Sequence, residues 1–333
     1  MRRVFFSLVL FGLAVSAGAQ DLRLPMKNGS IKFAVIGDSG TGNSDQMRVG
    51  KQIATFRSKF PFDFAILLGD NLYGSERSTD YQRKFEIPYK ALLDGGVKFY
   101  AALGNHDDPN QRLYKPFNMN GNRYYTFRPT LTGGVRFFAI DSNYIDPKQM
   151  EWLEKELAAS GSDWKVAFFH HPPYASGMHG SHEEIRAQLE PLFVKYGVNA
   201  VFNGHEHFYE RIKVQKGIQY FVAGASGKIR RGDISKTNLT AVGYDQGFSF
   251  MLVEISGEEM TFQTITDTGK TIDFGVIRKA ANSNTVIETT TTATGRGTTG
   301  AAAGTTGTVV APPTIGPAPA PKPAQPAPGQ PRK

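Results

Sequence analysis

Short apolar runs and longer amphipathic stretches alternate along this chain. The apolar runs are rich in β-branched and aromatic residues, which is typical of strands buried in a sheet. Nine such runs occur in the middle of the chain: IKFAVIG, FDFAILLG, VKFYAALG, VRFFAI, WKVAFFH, NAVFNG, IQYFVAG, FSFMLVEI and MTFQTI. We expect each of them to form a strand.

Amphipathic stretches between the earlier runs predict helices over 44–59, 81–93, 147–159 and 182–196. Pro147 suits the first turn of a helix, and Ser181 is placed to cap the helix predicted from residue 182. Strand and helix alternate over the first two thirds of this body, and the last third is mostly strand. The alternation predicts an α/β fold with helices layered on buried sheets.

The two ends of the chain differ from this body in composition. Residues 1–19 carry the pair Arg2-Arg3, a short apolar stretch and a small-residue ending at Ala19, which predicts a secretory signal peptide. The apolar stretch is too short for a stable membrane span. We therefore expect export to the periplasm or the extracellular space, with the Sec and twin-arginine routes both open.

The segment 281–333 is rich in Thr, Gly and Ala and then in Pro and Ala, and it has no aromatic residue. Such a composition buries too little apolar surface to fold, so it predicts a disordered tail. The role of the tail stays open. The remaining segment, 29–280, is expected to be one folded domain.

Composition and net charge limit the kinds of site and partner that this protein can have. The chain has no cysteine, which excludes a disulfide scaffold and any thiolate metal site. Of the net charge of +8, the signal region supplies +2 and the tail +3, so the body carries only about +3. This nearly balanced body gives no support for nucleic-acid binding.

Polar clusters follow five of the apolar runs. They are GDSG (37–40), GDNLYG (69–74), GNHDD (104–108), HHPPY (170–174) and GHEHFYER (204–211). Because loops beyond the carboxyl ends of strands converge on one crevice in α/β folds, we expect these clusters to lie close together. Five of the seven histidines fall inside them. Imidazole and oxygen ligands without sulfur suit Fe, Zn, Mn or Mg, so the pattern predicts a metal site.

These five motifs, in this order, resemble those of the calcineurin-like metallophosphoesterase superfamily from residue 31 to about 278. The resemblance implies a four-layer αββα sandwich of two mixed β-sheets flanked by helices, with two metal ions bridged by an aspartate. Most members have a histidine where this chain has Gly40. Tyr73, three residues after Asp70, matches the spacing of purple acid phosphatases, in which a tyrosine replaces the missing imidazole.

The resemblance also implies the metal ligands. One metal ion would be held by Asp38, Asp70, Tyr73 and His207, and the other by Asp70, Asn105, His170 and His205. A phenolate ligand favours Fe(III) at the Tyr73 site. The second ion is Fe(II), Zn(II) or Mn(II), and the sequence does not choose among them. His171 stands beside His170, and we expect only one of the two to face the metal.

His106 and His179 match catalytic positions of the family. The resemblance implies that His106 contacts the substrate phosphate and that His179 binds phosphate or protonates the leaving group. Asp107 is expected to orient His106, and His182 to lie on the surface where the last helix begins. Tyr209, Glu210 and Arg211 are expected to be structural or to support the ligands.

The implied function is an exported, binuclear acid phosphatase that hydrolyses small phosphate monoesters by attack of a metal-activated hydroxide. Two alternatives stay open. The first is a phosphodiesterase or nucleotide-pyrophosphate hydrolase with the same core. The second is a non-catalytic cell-surface binding protein. The sequence does not indicate the physiological substrate or the oligomeric state.

Overall fold

The computed structural model describes residues 21–130, 134–235 and 237–279, together with the backbone of 286–291. The described residues contain strands β1 (Ile31–Ile36), β2 (Phe64–Leu67), β3 (Lys98–Ala101), β4 (Tyr125–Phe127), β5 (Val135–Ala139), β6 (Trp164–Phe169), β7 (Ala200–Asn203), β8 (Tyr209–Ile212), β9 (Gln219–Ala223), β10 (Thr240–Tyr244), β11 (Ser249–Ser256), β12 (Glu259–Thr266), β13 (Thr271–Lys279) and β14 (Val286–Thr291). The helices are α1 (Ser44–Arg57), α2 (Ser78–Tyr81), α3 (Lys90–Asp94), α4 (Pro147–Ala158) and α5 (Glu183–Tyr196). The expected signal peptide lies outside the described residues.

The strands form two seven-stranded mixed sheets. The first has the order β14-β13-β12-β11-β1-β2-β3, with β1, β2 and β3 parallel and the other pairs antiparallel. The second has the order β10-β8-β9-β7-β6-β5-β4, with β5, β6, β7 and β9 parallel. Each parallel set brings the carboxyl ends of its strands to one edge of its sheet.

The two sheets pack face to face through aromatic side chains. Phe33 of β1 meets Phe137 of β5 edge to face, with ring centroids 5.1 Å apart. Phe221 of β9 meets Phe262 of β12 in the same way at 4.9 Å. Such edge-to-face pairs stabilise a core beyond the area they bury.

Helices cover both outer faces of the sheet pair. α1 and α3 lie against the first sheet, and their buried side chains join the main core. α4 and α5 cover the second sheet, where Leu153 and Phe193 pack with Phe169 of β6. The two mixed sheets flanked by helices confirm the predicted αββα sandwich. Among the described residues, no helix is long and apolar enough to cross a membrane.

The predicted elements compare well with the observed ones at the strands and less well at the helices. Each of the nine apolar runs forms a strand, and α1, α4 and α5 match their predictions to within two residues. The helix predicted over 81–93 is broken, because a π-helical turn (Gln82–Glu86) separates α2 from α3. Strands β4, β8, β10 and β13 were not predicted.

The expected cap of α5 is wrong. Ser181 does not cap α5, because its hydroxyl exchanges hydrogen bonds with the backbone of Ala175, and His182 is the N-terminal cap residue. The tail boundary expected at residue 281 stays a prediction, and a strand lies beyond it. Residues Val286–Thr291, VIETTT, pair with β13 as β14, in keeping with the high strand propensity of Val, Ile and Thr. Residues 292–333 lie outside the described residues.

Candidate metal centre

The five predicted motifs meet at the carboxyl ends of the parallel strands of both sheets. Asp38 and Asp70 follow β1 and β2, and Asn105 lies beyond β3 in the first sheet. His170 follows β6, and the His205–His207 segment lies beyond β7 in the second sheet. Each of the five loops contributes a side chain that lies within hydrogen-bonding distance of a side chain from another of these loops, and the contacts form two clusters.

The first cluster consists of oxygen and nitrogen atoms from Asp38, Tyr73 and His207. The Tyr73 hydroxyl oxygen lies 3.3 Å from Asp38 Oδ1 and 3.2 Å from His207 Nε2. His207 Nε2 lies 3.5 Å from Asp38 Oδ1. Two ligands of one ion at about 2.1 Å and tetrahedral angles are roughly 3.4 Å apart, so these three atoms fit one small cation.

The second cluster consists of Asn105, His170 and His205. Asn105 Oδ1 lies 2.9 Å from His170 Nε2 and 3.0 Å from His205 Nδ1, and the two ring nitrogens are 3.1 Å apart. His170 Nδ1 faces the carbonyl oxygen of Leu68 at 2.9 Å, so its proton is on that nitrogen and Nε2 presents a lone pair. His170 Nε2 and Asn105 Oδ1 therefore converge as acceptors, His205 Nδ1 joins them in one of its two tautomers, and a cation would satisfy all three.

Asp70 lies between the two clusters. Its Oδ1 is 3.4 Å from His170 Nε2 in the second cluster, and a carboxylate oxygen lies within 4.8 Å of the donors of Asp38 and His207 in the first. The same Oδ1 accepts a hydrogen bond from the backbone N–H of His106 at 3.0 Å. Asp70 is thus placed to contact both positions, which is what a bridging carboxylate requires.

The backbone is strained at three of the expected ligands. Asp38, Asp70 and His205 have φ values of 52°, 50° and 70°, in the left-handed region that non-glycine residues rarely adopt. Strain of this kind persists only where the surrounding structure fixes it, and it concentrates at functional sites. Here His205 N–H donates to Asp38 Oδ2 at 2.9 Å, which joins two of the strained positions.

Burial shifts the pKa values of the ionisable side chains in the first cluster. It raises the pKa of the Asp38 carboxyl well above its usual value, and neighbouring Asp70 adds to the effect. It also lowers the pKa of His207 to about 3. Burial, with Asp38 and Asp70 nearby, raises the pKa of the Tyr73 phenol far above its usual value. The phenol therefore keeps its proton unless a strongly acidic cation takes its place.

Comparison with known proteins agrees with this geometry. Residues 31–209, more than half of the 333 residues, match the calcineurin-like phosphoesterase family. The chain belongs to that family. It is a metallophosphoesterase, and the resemblance seen in its motifs is confirmed.

The relatives of the chain include purple acid phosphatases. The chain is 27% identical over 277 residues to purple acid phosphatase 17 of Arabidopsis thaliana, a match that covers 72% of this chain and 82% of that protein. It is 28% identical over 293 residues to human tartrate-resistant acid phosphatase type 5, covering 73% and 89%. Its fold is similar to that of the purple acid phosphatase PPD1 from yellow lupin, with a TM-score of 0.62 and 17% identity, covering 76% of this chain and 54% of that chain.

Each of the two expected catalytic histidines of this metallophosphoesterase lies beside one of the two clusters. His106 is exposed, and its ring lies 5.1 Å from that of Tyr73 in the first cluster. His179 is also exposed, and its ring lies 4.4 Å from that of His205 in the second cluster. His179 Nδ1 is 3.4 Å from a carboxylate oxygen of Glu206. Both imidazoles therefore border the place where two metal ions would sit.

The other two histidines are closer to the site than the sequence indicated. His171 offers a nitrogen within 4.8 Å of the donors of His170 and His205, while its Nδ1 is 2.9 Å from Ser142 Oγ. His182 is not a simple surface residue, because its ring packs 4.8 Å from that of His171 and 5.1 Å from that of His205. Its position depends on the loop before α5, whose path the sequence pattern does not reveal.

Asp107 has a different role from the expected one. Its carboxylate accepts hydrogen bonds from the backbone N–H groups of Asn71, Leu72 and Gly104 at 2.8–3.1 Å, and from Gln111. It therefore joins the loop after β2 to the loop after β3, rather than orienting His106. Burial, with Asp70 close by, raises its pKa to about 7.

Arg211 and Tyr209 are structural, as expected. Both contact the buried carboxylate of Asp273 on β13, at 2.8 Å and 2.7 Å respectively. These contacts join the two sheets beneath the site. The carboxylate of Glu210 accepts hydrogen bonds from the backbone N–H of Ser176 and from the hydroxyl of Thr240.

Sequence reasoning missed one polar loop, which follows β9. Gly224–Arg231, GASGKIRR, brings Lys228 and Arg230 beside the site: the Lys228 ammonium lies 3.7 Å from the centre of the Tyr73 ring, and the Arg230 guanidinium contacts His179 at 3.0 Å. The sequence does contain a signal that could have identified this loop. Like the five motifs, this loop is a glycine-rich segment with polar residues that directly follows an apolar strand.

Proposed function

We propose that this protein is an acid phosphatase that hydrolyses phosphate monoesters with a binuclear metal centre. The observation that carries the proposal is the position of the Tyr73 hydroxyl, 3.3 Å from Asp38 and 3.2 Å from His207. Gly40 supports it, because an added Cβ there would lie 2.0 Å from the carbonyl oxygen of Asn71. No side chain at position 40 fits this arrangement, so the phenol of Tyr73 takes the corresponding place.

The donor set fits two different ions. We propose that Asp38, Asp70, Tyr73 and His207 hold Fe(III), and that Asp70, Asn105, His170 and His205 hold Fe(II), Zn(II) or Mn(II). The phenolate is a hard anionic ligand, and the raised pKa of Tyr73 means that a strong Lewis acid is needed to displace its proton. The second cluster has two imidazoles and an amide, which suit a divalent ion.

When bound, two such ions supply Lewis acidity for the phosphoryl oxygens and lower the pKa of water for attack on phosphorus. Side chains of the protein bind the phosphoryl group, deliver the proton and hold the loops in place. His106 and His179, at the exposed rim, bind phosphoryl oxygens, and His179 delivers a proton to the leaving oxygen. Asp107 keeps the loops of Asp70 and His106 in register. Burial and the neighbouring Arg230 guanidinium lower the pKa of His179, so its acid form requires acidic conditions, and we expect an acidic pH optimum.

The test of the metal assignment is a visible absorption spectrum with metal analysis of the purified protein. A phenolate-to-Fe(III) band that disappears in Tyr73→Phe is the expected result. Tyr144→Phe is the matched control, because Tyr144 is exposed and is not part of either cluster. A colourless, active protein without iron would contradict the Fe(III) assignment and leave membership of the family intact.

The test of the reaction compares p-nitrophenyl phosphate with its bis ester. Preference for the monoester, with the rate highest at acidic pH, is the expected result. Preference for the bis ester or for a nucleotide pyrophosphate would support the alternative phosphodiesterase or pyrophosphate hydrolase. Inactivity of fully metal-loaded protein toward all of these esters would instead support a non-catalytic binding protein.

We also propose that the protein is exported and cut after Ala19, which supports a periplasmic or extracellular site of action. The small-residue ending Ala17-Gly18-Ala19 supports this cleavage position. Sequencing the amino terminus of protein recovered from the periplasm or medium tests it, with Gln20 expected as the first residue. An intact amino terminus found only in the cytoplasm would contradict export.

A further inference from the structure

Lys228 is a cation at the edge of the candidate metal centre without an anionic partner among the described residues. Its ammonium lies 3.7 Å from the centre of the Tyr73 ring, and this contact with an aromatic face is its one described partner. The side chain is partly buried. Neighbouring Arg230, in contrast, already faces the carboxylates of Glu206 and Asp233 at 3.6 Å and 4.0 Å.

The loop that carries Lys228 is fixed against the loop of Asp38. Ser226 N–H donates to the carbonyl oxygen of Gly37 at 3.1 Å, and Arg230 N–H donates to that of His207 at 3.0 Å. Gly227 allows the closest approach, because an added Cβ there would lie 2.2 Å from the carbonyl oxygen of Ser39. The backbone of Lys228 is therefore held in place between two expected metal-ligand loops.

A positive charge held at this place has a chemical use if the substrate is a phosphate ester. A phosphate monoester is a dianion near pH 7, because its second pKa is about 6, whereas a diester is a monoanion. The two substrates differ by one negative charge and by one free phosphoryl oxygen. An unpaired ammonium at the edge of the site interacts more strongly with the dianion.

We propose that Lys228 binds the phosphoryl group of the substrate and, above about pH 6, where the monoester is a dianion, selects dianionic monoesters over monoanionic diesters. The Tyr73 ring holds the ammonium at the edge of the first cluster, and substrate provides the anionic partner that the protein does not. His106 also contacts that ring, with the two ring centroids 5.1 Å apart. This inference rests on the proposed phosphatase function and adds to it the charge class of the substrate.

The experiment uses the metal-loaded protein at pH 7 and compares Lys228→Met with the wild type. Calorimetric titration with inorganic phosphate measures binding without turnover. Loss of a charged hydrogen bond should weaken phosphate binding and lower kcat/KM for p-nitrophenyl phosphate by about 10-fold or more, with less than about 3-fold change for the bis ester. Lys228→Arg keeps the charge and should restore most of the selectivity.

Arg231→Gln is the matched control. It removes one positive charge from the same loop, but Arg231 is exposed and donates to the carbonyl oxygen of Gln246. An exposed charge contributes little, so both readouts should change by less than about 2-fold. Equal effects of Lys228→Met and Arg231→Gln would mean that only the net charge of the loop matters, which contradicts the proposal.

Three other outcomes would overturn it. Equal losses for monoester and diester would make Lys228 a general positioning residue. Unchanged phosphate binding with a shifted Tyr73 absorption band would mean that Lys228 acts on the metal ligand and not on substrate. Unchanged phosphate binding with no spectral shift would leave it without a role at the site. If the wild type hydrolyses neither ester, the proposed function fails, while phosphate titration still tests Lys228.

Discussion

The backbone N–H of Tyr73 donates a hydrogen bond to the carbonyl oxygen of Gly40 at 2.9 Å. The N–H of Gly40 in turn donates to the carbonyl oxygen of Asp70 at 3.2 Å. The loops after β1 and β2 are therefore paired through their backbones at the candidate metal centre. Because of this pairing, the glycine at position 40 and the tyrosine at position 73 form one structural unit.

Gly40→Ala should destabilise the protein and disturb the first cluster. The new Cβ would lie 2.0 Å from the carbonyl oxygen of Asn71, so the backbone of one loop must move. We expect a loss of about 1–3 kcal/mol in the free energy of unfolding of metal-free protein, measured with denaturant. Gly243→Ala is the control, since its nearest neighbours are side-chain atoms of Ile234 and Thr240 at 3.0 Å or more. Equal stability of the two variants would contradict the clash.

His170→Asn should remove the second metal, whereas His171→Asn should largely retain it. Hydrogen bonding to Leu68 aims His170 Nε2 at the second cluster, while His171 Nδ1 is engaged with Ser142. Loss of a ligand should weaken binding of that metal by about 100-fold or more, and loss of a neighbouring group by about 10-fold or less. Metal analysis after dialysis at defined free metal measures both. Equal losses would identify His171 as a further ligand.

The metal-free protein should lose stability in acid partly through His171. Burial, reinforced by His170 and His182, lowers the pKa of His171 to about 3, while the unfolded value is about 6.5. The unfolded chain therefore binds the extra proton between these values. The contribution of neutral His171 is complete above about pH 6.5 and is lost by roughly 1 kcal/mol per unit as the pH falls toward 3.

The measurement for this prediction is the difference in unfolding free energy between wild type and His171→Gln at several pH values. The stability of the wild type relative to the variant should fall as the pH falls from 6.5 to 4, because glutamine does not titrate. A difference that is independent of pH over this window would show that His171 titrates normally in the folded protein.

Asp273→Ala should be strongly destabilising although it is remote from the metal clusters. Asp273 on β13 is the buried acceptor for both Arg211 and Tyr209 on β8, so the substitution leaves a buried cation without this partner. We expect a loss of about 3–5 kcal/mol in unfolding free energy. Glu259→Ala, which breaks exposed pairs with Lys27 and Arg278, should cost less than about 1 kcal/mol. Similar costs for the two would contradict a structural role of the buried pair.

The strands and the site loops were largely predictable from the sequence. Buried strands such as β2, with the sequence FAIL, are apolar in all positions, and this signal is contained in a few consecutive residues. Strand β8 escaped detection because two charged residues interrupt it. These are Glu210 and Arg211, which are buried only because partners from other segments satisfy them. The periodicity of apolar residues indicates which faces of an element are buried. It does not indicate which distant residues pair with a buried charged side chain.

By itself, the sequence determined the class of the fold and the chemical groups available at its loops, since strand propensity, glycine placement and residue type are local properties. Only the tertiary structure decided which of these groups meet. It placed the His182 ring beside that of His171, and the Asp107 carboxylate where backbone N–H groups of two loops donate to it. It also placed the Lys228 ammonium over the ring of Tyr73. Distances between loops depend on the twist and packing of both sheets, and those are properties of the whole chain.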